Sequence, residues 1–399
     1  MRILWIKTEL LHPVDKGGRI RTYQMLKAMA RTHDITYLSL YDGENAPQAL
    51  DQSREYAQRV VTVDFSPPRR LSAGFAIALI RNMVSSLPYA IQRYQSSEMR
   101  AKILELAPKS DLLVCDFLAP SINVPDGLKV RSALFQHNVE AVIWQRHAQV
   151  ASDPIRRGYF GEQWRRMERF EAGACRRFSH VVAVSETDAE IFRRRYGVQS
   201  VSHVSTGVDV SYFGGARIVP AATQEIVFIG SMDWMPNEDG VKWFVDEIFN
   251  GVRARIPDAK FTIVGRNPSP TVKRLASDGV PIEVTGTVDD VRPYLARAAI
   301  CVVPLRVGGG TRLKIYEAMA AGAPVVSTTI GAEGLPLRDG EHLLIADTPI
   351  AQIEAVVSLL ANRDRAAALA ANAKKFVSEH CSWDAVAESF IAQCMARTS

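Results

Sequence analysis

Glu317, Lys314 and Arg312 lie close together in the segment ICVVPLRVGGGTRLKIYEAMAAGAPVV, which runs from Ile300 to Val326. A carboxylate in this setting can accept hydrogen bonds from two ribose hydroxyls, and two cations just ahead of it suit a diphosphate. Gly308, Gly309 and Gly310 precede them and let backbone N–H groups approach a ligand that side chains would hold off. Ile300 to Val303 reads as a buried parallel strand. Thr311 to Ala321 reads as a helix whose N-terminus faces the ligand, where free N–H groups and the helix dipole favour an anion. Gly322 supplies a left-handed helix stop, and Pro324 prevents a restart before the strand Val325 to Thr328. A glycine run alone is equally consistent with a tight turn that binds nothing.

Two further places could carry chemistry. In MRILWIKTELLHPVDKGGRIRTYQM, a strand, a loop and a helix follow one another, with Gly17 and Gly18 before the helix and Arg19 and Arg21 in its first turn. That is a second close backbone approach to a diphosphate, or else a plain helix entry with solvated arginines. In SALFQHNVE, His137 follows the apolar strand Ser132 to Gln136, which puts an imidazole at the carboxyl end of a parallel strand. Open α/β sheets hold their ligands there, although a histidine beside a strand is often a satisfied core residue.

The elements that must position these groups alternate strand with helix along the whole chain, which predicts parallel sheets covered on both faces. Strands are expected at Arg2 to Lys7, Asp34 to Leu40, Val60 to Asp64, Leu112 to Cys115, Ser132 to Gln136 and Val181 to Val184. The same rhythm returns at Glu225 to Ile229, Lys260 to Val264, Ile282 to Thr285, Ile300 to Val303 and Val325 to Ser327. Ser205 to Thr223, rich in Gly, Ala and Pro, separates the two series and reads as a linker. Trp383 to Arg397 reads as a terminal amphipathic helix.

The words KIYEAMAAGAPVV, STGVD, FIGSMDWMPNEDGVKWF, FTIVG and VTGTVDDVRPYLARA resemble glycosyltransferase family 4, the retaining, nucleotide-sugar-dependent enzymes of GT-B fold. Words such as KGGRIRTYQ, QHNVE and GSMDWMPN resemble the sugar transferases of bacterial exopolysaccharide assembly, including those found beside PEP-CTERM export systems. The resemblance implies two Rossmann-like, doubly wound parallel-sheet domains facing a cleft, with the C-terminal helix crossing back to the N-terminal domain. Residues 1–205 with 383–399 would bind the acceptor and residues 206–382 the donor. It further implies transfer of a sugar from a nucleotide diphosphate to a hydroxyl acceptor, a lipid-linked or growing glycan, with retention of configuration. Carried over residue by residue, the donor contacts are Gly18, Gly230, Ser231, Gly265, Gly286, Val288, Gly309, Gly310, Thr311, Leu313 and Glu317. His137 would position the sugar and stabilise the transition state, while Arg312 and Lys314 take the charge building on the departing diphosphate. Arg21, Asn138 and Glu140 fall on the acceptor side. Many members carry a second glutamate where this chain has Gly309, a departure that leaves a non-catalytic nucleotide-sugar-binding homologue as one alternative; twin Rossmann halves also serve GT-B-shaped nucleotide-sugar 2-epimerases, which is the other.

Bulk properties narrow the field. The 399 residues suit two domains, and 47% hydrophobic content with a net charge of +5 is ordinary for a globular protein. No uncharged apolar run reaches spanning length and MRILWIK leads straight into a strand, so a cytoplasmic protein is expected. The basic excess lies in the N-terminal half, much of it between Arg156 and Arg195, where interspersed glutamates predict a solvated helix face with i,i+4 pairs. Attraction to an anionic membrane surface, such as the inner face of the cytoplasmic membrane, or to a lipid diphosphate acceptor is the sharper reading of that excess. The stretch Arg69 to Lys102 reads as a covering helix or a membrane-facing one. Nucleic acid is not expected as a partner, since no aromatic interleaving accompanies the arginines. The five cysteines, among them Cys115 and Cys301 in apolar strands, lack disulfide or zinc spacing. No Asp-X-Asp pair closes a strand, so neither a metal nor another cofactor is expected. The absence of G-x-G-x-x-G after the first strand disfavours an oxidoreductase.

Overall fold

The computed structural model describes residues 1–14, 17–41, 43, 46–66, 72–150, 153–215, 224–276, 279–307 and 312–396. The chain divides into two compact units, Met1–Ser205 with Val386–Ser399, and Thr206–Ala385.

The first unit holds seven strands: β1 Arg2–Lys7, β2 Asp34–Tyr41, β3 Arg59–Asp64, β4 Leu112–Asp116, β5 Arg131–Gln136, β6 His180–Ala183 and β7 Val201–His203. All pair in parallel in the order β3-β2-β1-β4-β5-β6-β7. Parallel strands are covered on both faces, so their sequences run apolar rather than alternating. β4 (LLVCD) is buried throughout, and β1 is buried beyond Arg2. The second unit holds β8 Glu225–Ile229, β9 Lys260–Val264, β10 Ile282–Gly286, β11 Ile300–Val303, β12 Val325–Ser327 and β13 Leu344–Ile345, parallel in the order β10-β9-β8-β11-β12-β13. Both sheets therefore wind outward in two directions from a central strand, β1 or β8, as the GT-B resemblance implies.

The terminal helix Trp383–Met395 starts in the second unit, and its later residues belong to the first. Phe390 is fully buried there, its ring 5.7 Å from Trp5 and 5.0 Å from Phe135. Gln393 donates to the His203 carbonyl at 3.1 Å, and Arg131 donates to the Ala396 carbonyl. A buried Phe side chain contributes roughly 1.5–3 kcal/mol of transfer free energy, so this segment belongs to the core of the first unit.

Three local expectations are corrected. The first helix spans Gly17–Met29, so Gly17 and Gly18 lie inside its opening turn rather than ahead of it. The helix after the glycine run is Leu313–Ala320, and Arg312 is its N-cap, in the left-handed region at φ 43°, rather than a first-turn residue. β7 and β13 carry no sequence signal of their own, because three- and two-residue edge strands are too short for a period to register. The arginine-rich region is a solvated helix face in the main, with pairs such as Arg193–Glu190 at 2.6 Å and Arg195–Glu168 at 2.5 Å. All five cysteines are free and buried.

Candidate functional site

In the second unit the chain leaves β8 through Gly230 and Ser231 and enters the helix Met235–Trp243. Asn237, 3% exposed in the first turn of that helix, donates through Nδ2 to the Ser231 carbonyl at 2.8 Å and so fixes the loop. Its Oδ1 accepts from Lys314 Nζ at 2.6 Å, and the same ammonium sits 4.5 Å from the Phe228 ring centroid. The approach requires glycine. A Cβ on Gly230 would lie 2.8 Å from Lys314 Nζ and 2.7 Å from Asn237 Nδ2, and one on Gly265 would strike the Gly230 carbonyl at 1.7 Å. Burial drives the Lys314 ammonium down to about 8 and pushes the Glu317 carboxyl up, with each partly offsetting the other's shift.

These groups line a pocket of about 340 Å³. Gly230, Ser231, Arg312, Leu313, Lys314 and Glu317 all border it, beside Trp234 and Asn237. The guanidinium of Arg312 reaches Glu333 at 3.4 Å. Gly265 supports the pocket from behind through Gly230. Gly286 closes the edge strand β10, with φ 72°, and is not among the pocket's lining residues. Val288 packs against Val227, Val264 and Ala298 instead. Gly309, Gly310 and Thr311 fall outside the described residues. Arg266, which sequence reasoning passed over, follows β9 and donates to Ser231 Oγ at 2.8 Å.

The first unit organises its polar groups around a carboxylate that sequence reasoning missed. Asp116, fully buried at the end of β4, accepts from Lys7 Nζ at 2.8 Å, Thr22 Oγ1 at 2.6 Å and Trp5 Nε1 at 3.1 Å on one oxygen. Its other oxygen faces His137 Nε2 at 2.8 Å. Burial alone would raise this carboxyl, yet Lys7 and then His137 outweigh it and hold it well below the usual carboxylate range. Burial likewise drives His137 down to about 4 against the pull of Asp116. At neutral pH the imidazole is therefore uncharged. An ionised Asp116 can only accept, so the proton sits on Nε2 and Nδ1 is left as an acceptor.

Phe117 holds the arrangement in place. It adopts φ 74°, an uncommon value for a residue with a side chain. Its ring stacks on His137 at 3.8 Å and lies 4.1 Å from Lys7 Nζ. Gly18 is explained by this ring, because a Cβ there would come within 2.8 Å of it. Arg21 is 5% exposed and lowered to about 10 by burial, with Nη2 lacking a hydrogen-bond partner. Asn138 is exposed. Glu140 opens the helix Glu140–Val150, whose first N–H groups are capped by the buried Glu171 at 2.8 and 3.0 Å. Burial raises Glu171 to about 7 even with these donors. The signal that could have found Lys7 and Asp116 is a single charge ending an otherwise apolar strand. Among the described residues no three His, Cys, Asp or Glu side chains converge in a way that could hold a metal ion.

Both sets of groups stand at the carboxyl ends of parallel strands, where α/β sheets bind ligands. Comparison with known proteins adds family membership. Residues 16–212 match the family model described as Glycosyltransferase Family 4, and residues 223–362 match that described as Glycosyl transferases group 1. An uncharacterised 44.6 kDa protein in the cps region of Klebsiella pneumoniae is 23% identical over 391 residues, covering 95% of this chain and 96% of its own length. A GDP-mannose-dependent α-(1-6)-phosphatidylinositol monomannoside mannosyltransferase of Mycobacterium tuberculosis is 31% identical over 150 residues, which is 34% of this chain and 39% of that protein. Among solved structures, Anabaena HepE in complex with UDP and glucose superposes with a TM-score of 0.61 at 12% identity, over 100% of both chains. With two family models that together span most of its length and this fold beneath them, the chain belongs to the glycosyltransferases, its N-terminal part to family 4 and its C-terminal part to group 1.

Proposed function

We propose that this glycosyltransferase is retaining and metal-independent. In this reading it moves a sugar from a nucleotide diphosphate to a hydroxyl of a lipid-linked or growing glycan in bacterial surface or exopolysaccharide synthesis. The observation that carries the reading is the pocket beside β8, where Lys314, Glu317 and the Gly230 backbone converge. Glu317 accepts the ribose hydroxyls. Lys314 and Arg312 meet the diphosphate and stabilise the negative charge that grows on it as the glycosidic bond breaks, so no protein nucleophile is needed. Lys314 remains mostly protonated at pH 7. His137, neutral and oriented by Asp116, offers Nδ1 to a sugar hydroxyl.

The relatives support the substrate class. One is named for GDP-mannose and a phosphatidylinositol mannoside, one lies in a cps region, and HepE was solved with UDP and glucose. A membrane-borne acceptor is supported by the helix Ala73–Met83, whose apolar Ile77, Ile80 and Met83 are 50%, 65% and 72% exposed, followed by Val84 at 92%. Asn82 ties it to Gln163 of the helix Pro154–Arg177 at 3.0 Å. That second helix opens with Ile155, 84% exposed, beside Arg156. Apolar side chains flanked by arginines suit an anionic bilayer surface. Among the described residues no helix is long and apolar enough to cross a membrane.

The test is thermal shift and titration with UDP, GDP, ADP and their sugars in EDTA, repeated on Glu317→Ala. One nucleotide diphosphate should stabilise the protein without metal, and the variant should lose that effect. Stabilisation only after a divalent ion is added would refute metal independence, and no nucleotide response would remove the donor assignment. Product stereochemistry by NMR decides retention.

A further inference from the structure

At the carboxyl ends of β1, β2 and β3 the first unit holds a second pocket, of about 210 Å³. It lies over the half of the sheet on the far side of β1 from Asp116 and His137. Thr8, Glu9 and His12 come from the segment after β1, Tyr41 ends β2, Phe65 follows β3, and Arg93 and Tyr94 close the rim. Sites for drug-sized ligands run to roughly 300–1,000 Å³, so this one suits a single ring.

The charges in the pocket do not cancel. Arg19 is held by Glu9 at 2.6 Å and also donates to the Pro13 carbonyl, so that pair is neutral overall. Arg93 makes no ion pair among the described residues, and its buried Nε has no hydrogen-bond partner. Its guanidinium stands 5.2 Å from the Tyr94 ring, and that ring stacks on Phe65 at 5.7 Å. His12 Nε2, also buried, makes no hydrogen bond but lies 3.9 Å from Glu55 Oε2, and burial lowers this imidazole against the pull of that carboxylate. A guanidinium with no ion pair among the described residues and an aromatic wall together recognise a ring that is apolar on one face and carries an anion on its edge.

We propose that this pocket is the acceptor subsite and that it selects a sugar residue bearing an anionic group, a carboxylate or a phosphate, through Arg93. The proposal rests on the transferase reading above and extends it to acceptor class. A neutral sugar leaves the Arg93 charge unanswered, while a carboxylate or phosphate meets it with paired N–H···O bonds. His137 follows β5 of the same sheet, two strands beyond β1.

Saturation-transfer NMR on the full chain, with glucuronate, glucose 1-phosphate and methyl α-glucoside as probes, tests it. At least one anionic probe should bind ten times or more tightly than methyl α-glucoside. Arg93→Met should abolish that preference, and Arg93→Lys should restore part of it. Signal from glucuronate alone identifies a carboxylate, and signal from glucose 1-phosphate alone a phosphate. Equal binding of the neutral glucoside, no binding by any probe, indifference to Arg93→Met, or displacement of the bound sugar by UDP or GDP would each overturn the proposal. Nucleotide titration of the same variants separates the two readings: unchanged nucleotide binding in Arg93→Met shows an intact fold, and loss of nucleotide binding in the wild type would count against the transferase reading instead.

Discussion

The two units share one strand order but treat their polar groups in opposite ways. In the first, Lys7, Asp116, Thr22, Trp5 and His137 satisfy one another, and Asp116 is fully buried. In the second, Lys314 has Asn237 as its one hydrogen-bond partner among the described residues, and both it and Glu317 border open space of about 340 Å³. A closed set of buried charges fixes geometry, and breaking it leaves a charge stranded. An open set is poised for a ligand that brings the missing partner. The cluster around Asp116 therefore commits its charges to stability and to the orientation of His137, while the pocket beside β8 keeps its own available for binding.

Substitutions that exchange these consequences would break the comparison. The largest effect is expected from Asp116→Ala, which strands Lys7 and should lower unfolding free energy by about 3–5 kcal/mol, measured by denaturant unfolding. A loss under 1 kcal/mol would show that the buried set is not closed. Next comes Lys314→Met, which should leave folding nearly intact and slow turnover roughly 100- to 1000-fold, read by steady-state assay with nucleotide sugar. Gly230→Ala should follow, because the new methyl presses on Lys314 and Asn237. At least a tenfold loss of nucleotide affinity, about 1.4 kcal/mol, should appear in calorimetric titration with little change in melting temperature.

The pH responses should also diverge. His137 takes its proton near 6.5 when unfolded but only near 4 in the fold. The unfolded chain therefore binds more protons between those values. Stability present above pH 6.5 is lost as pH falls toward 4, and His137→Gln should flatten that acid limb in melting curves. Lys314 works at the other end. Its ammonium, near 8, loses charge as pH rises, so diphosphate affinity should weaken above pH 8, and Lys314→Met should remove the dependence. The smallest folding effect is expected from Ile80→Asp with Met83→Asp, within about 0.5 kcal/mol. Co-sedimentation with anionic vesicles should nevertheless fall several-fold, and unchanged sedimentation would detach the helix Ala73–Met83 from any membrane role.

Legibility in the sequence followed the range of the interactions. β1, β8, β9, β11 and β12 could be placed to the residue because apolar runs bounded by turn residues are local signals. Glu317 and Lys314 were legible for a similar reason: one short helix after a glycine run brings them together. Asp116 was not, since its partners Lys7, Thr22 and His137 come from three other elements and only strand order makes them neighbours. Gly18 was read as a backbone approach to phosphate, whereas its nearest neighbour is the Phe117 ring, far along the chain.

By itself the sequence determined the alternation of strand and helix, the division near Ser205, the family, and the pocket groups that lie within a few residues of one another. Periodicity, glycine punctuation and local motifs encode those properties. Tertiary structure decided the rest. It buried Lys7 against Asp116, held His137 neutral with its proton on Nε2 and, among the described residues, left Arg93 without an anion and Lys314 with a single hydrogen-bond partner. Each of these depends on burial and on distances between residues remote in the chain, and those exist only once the parallel strands have taken their order.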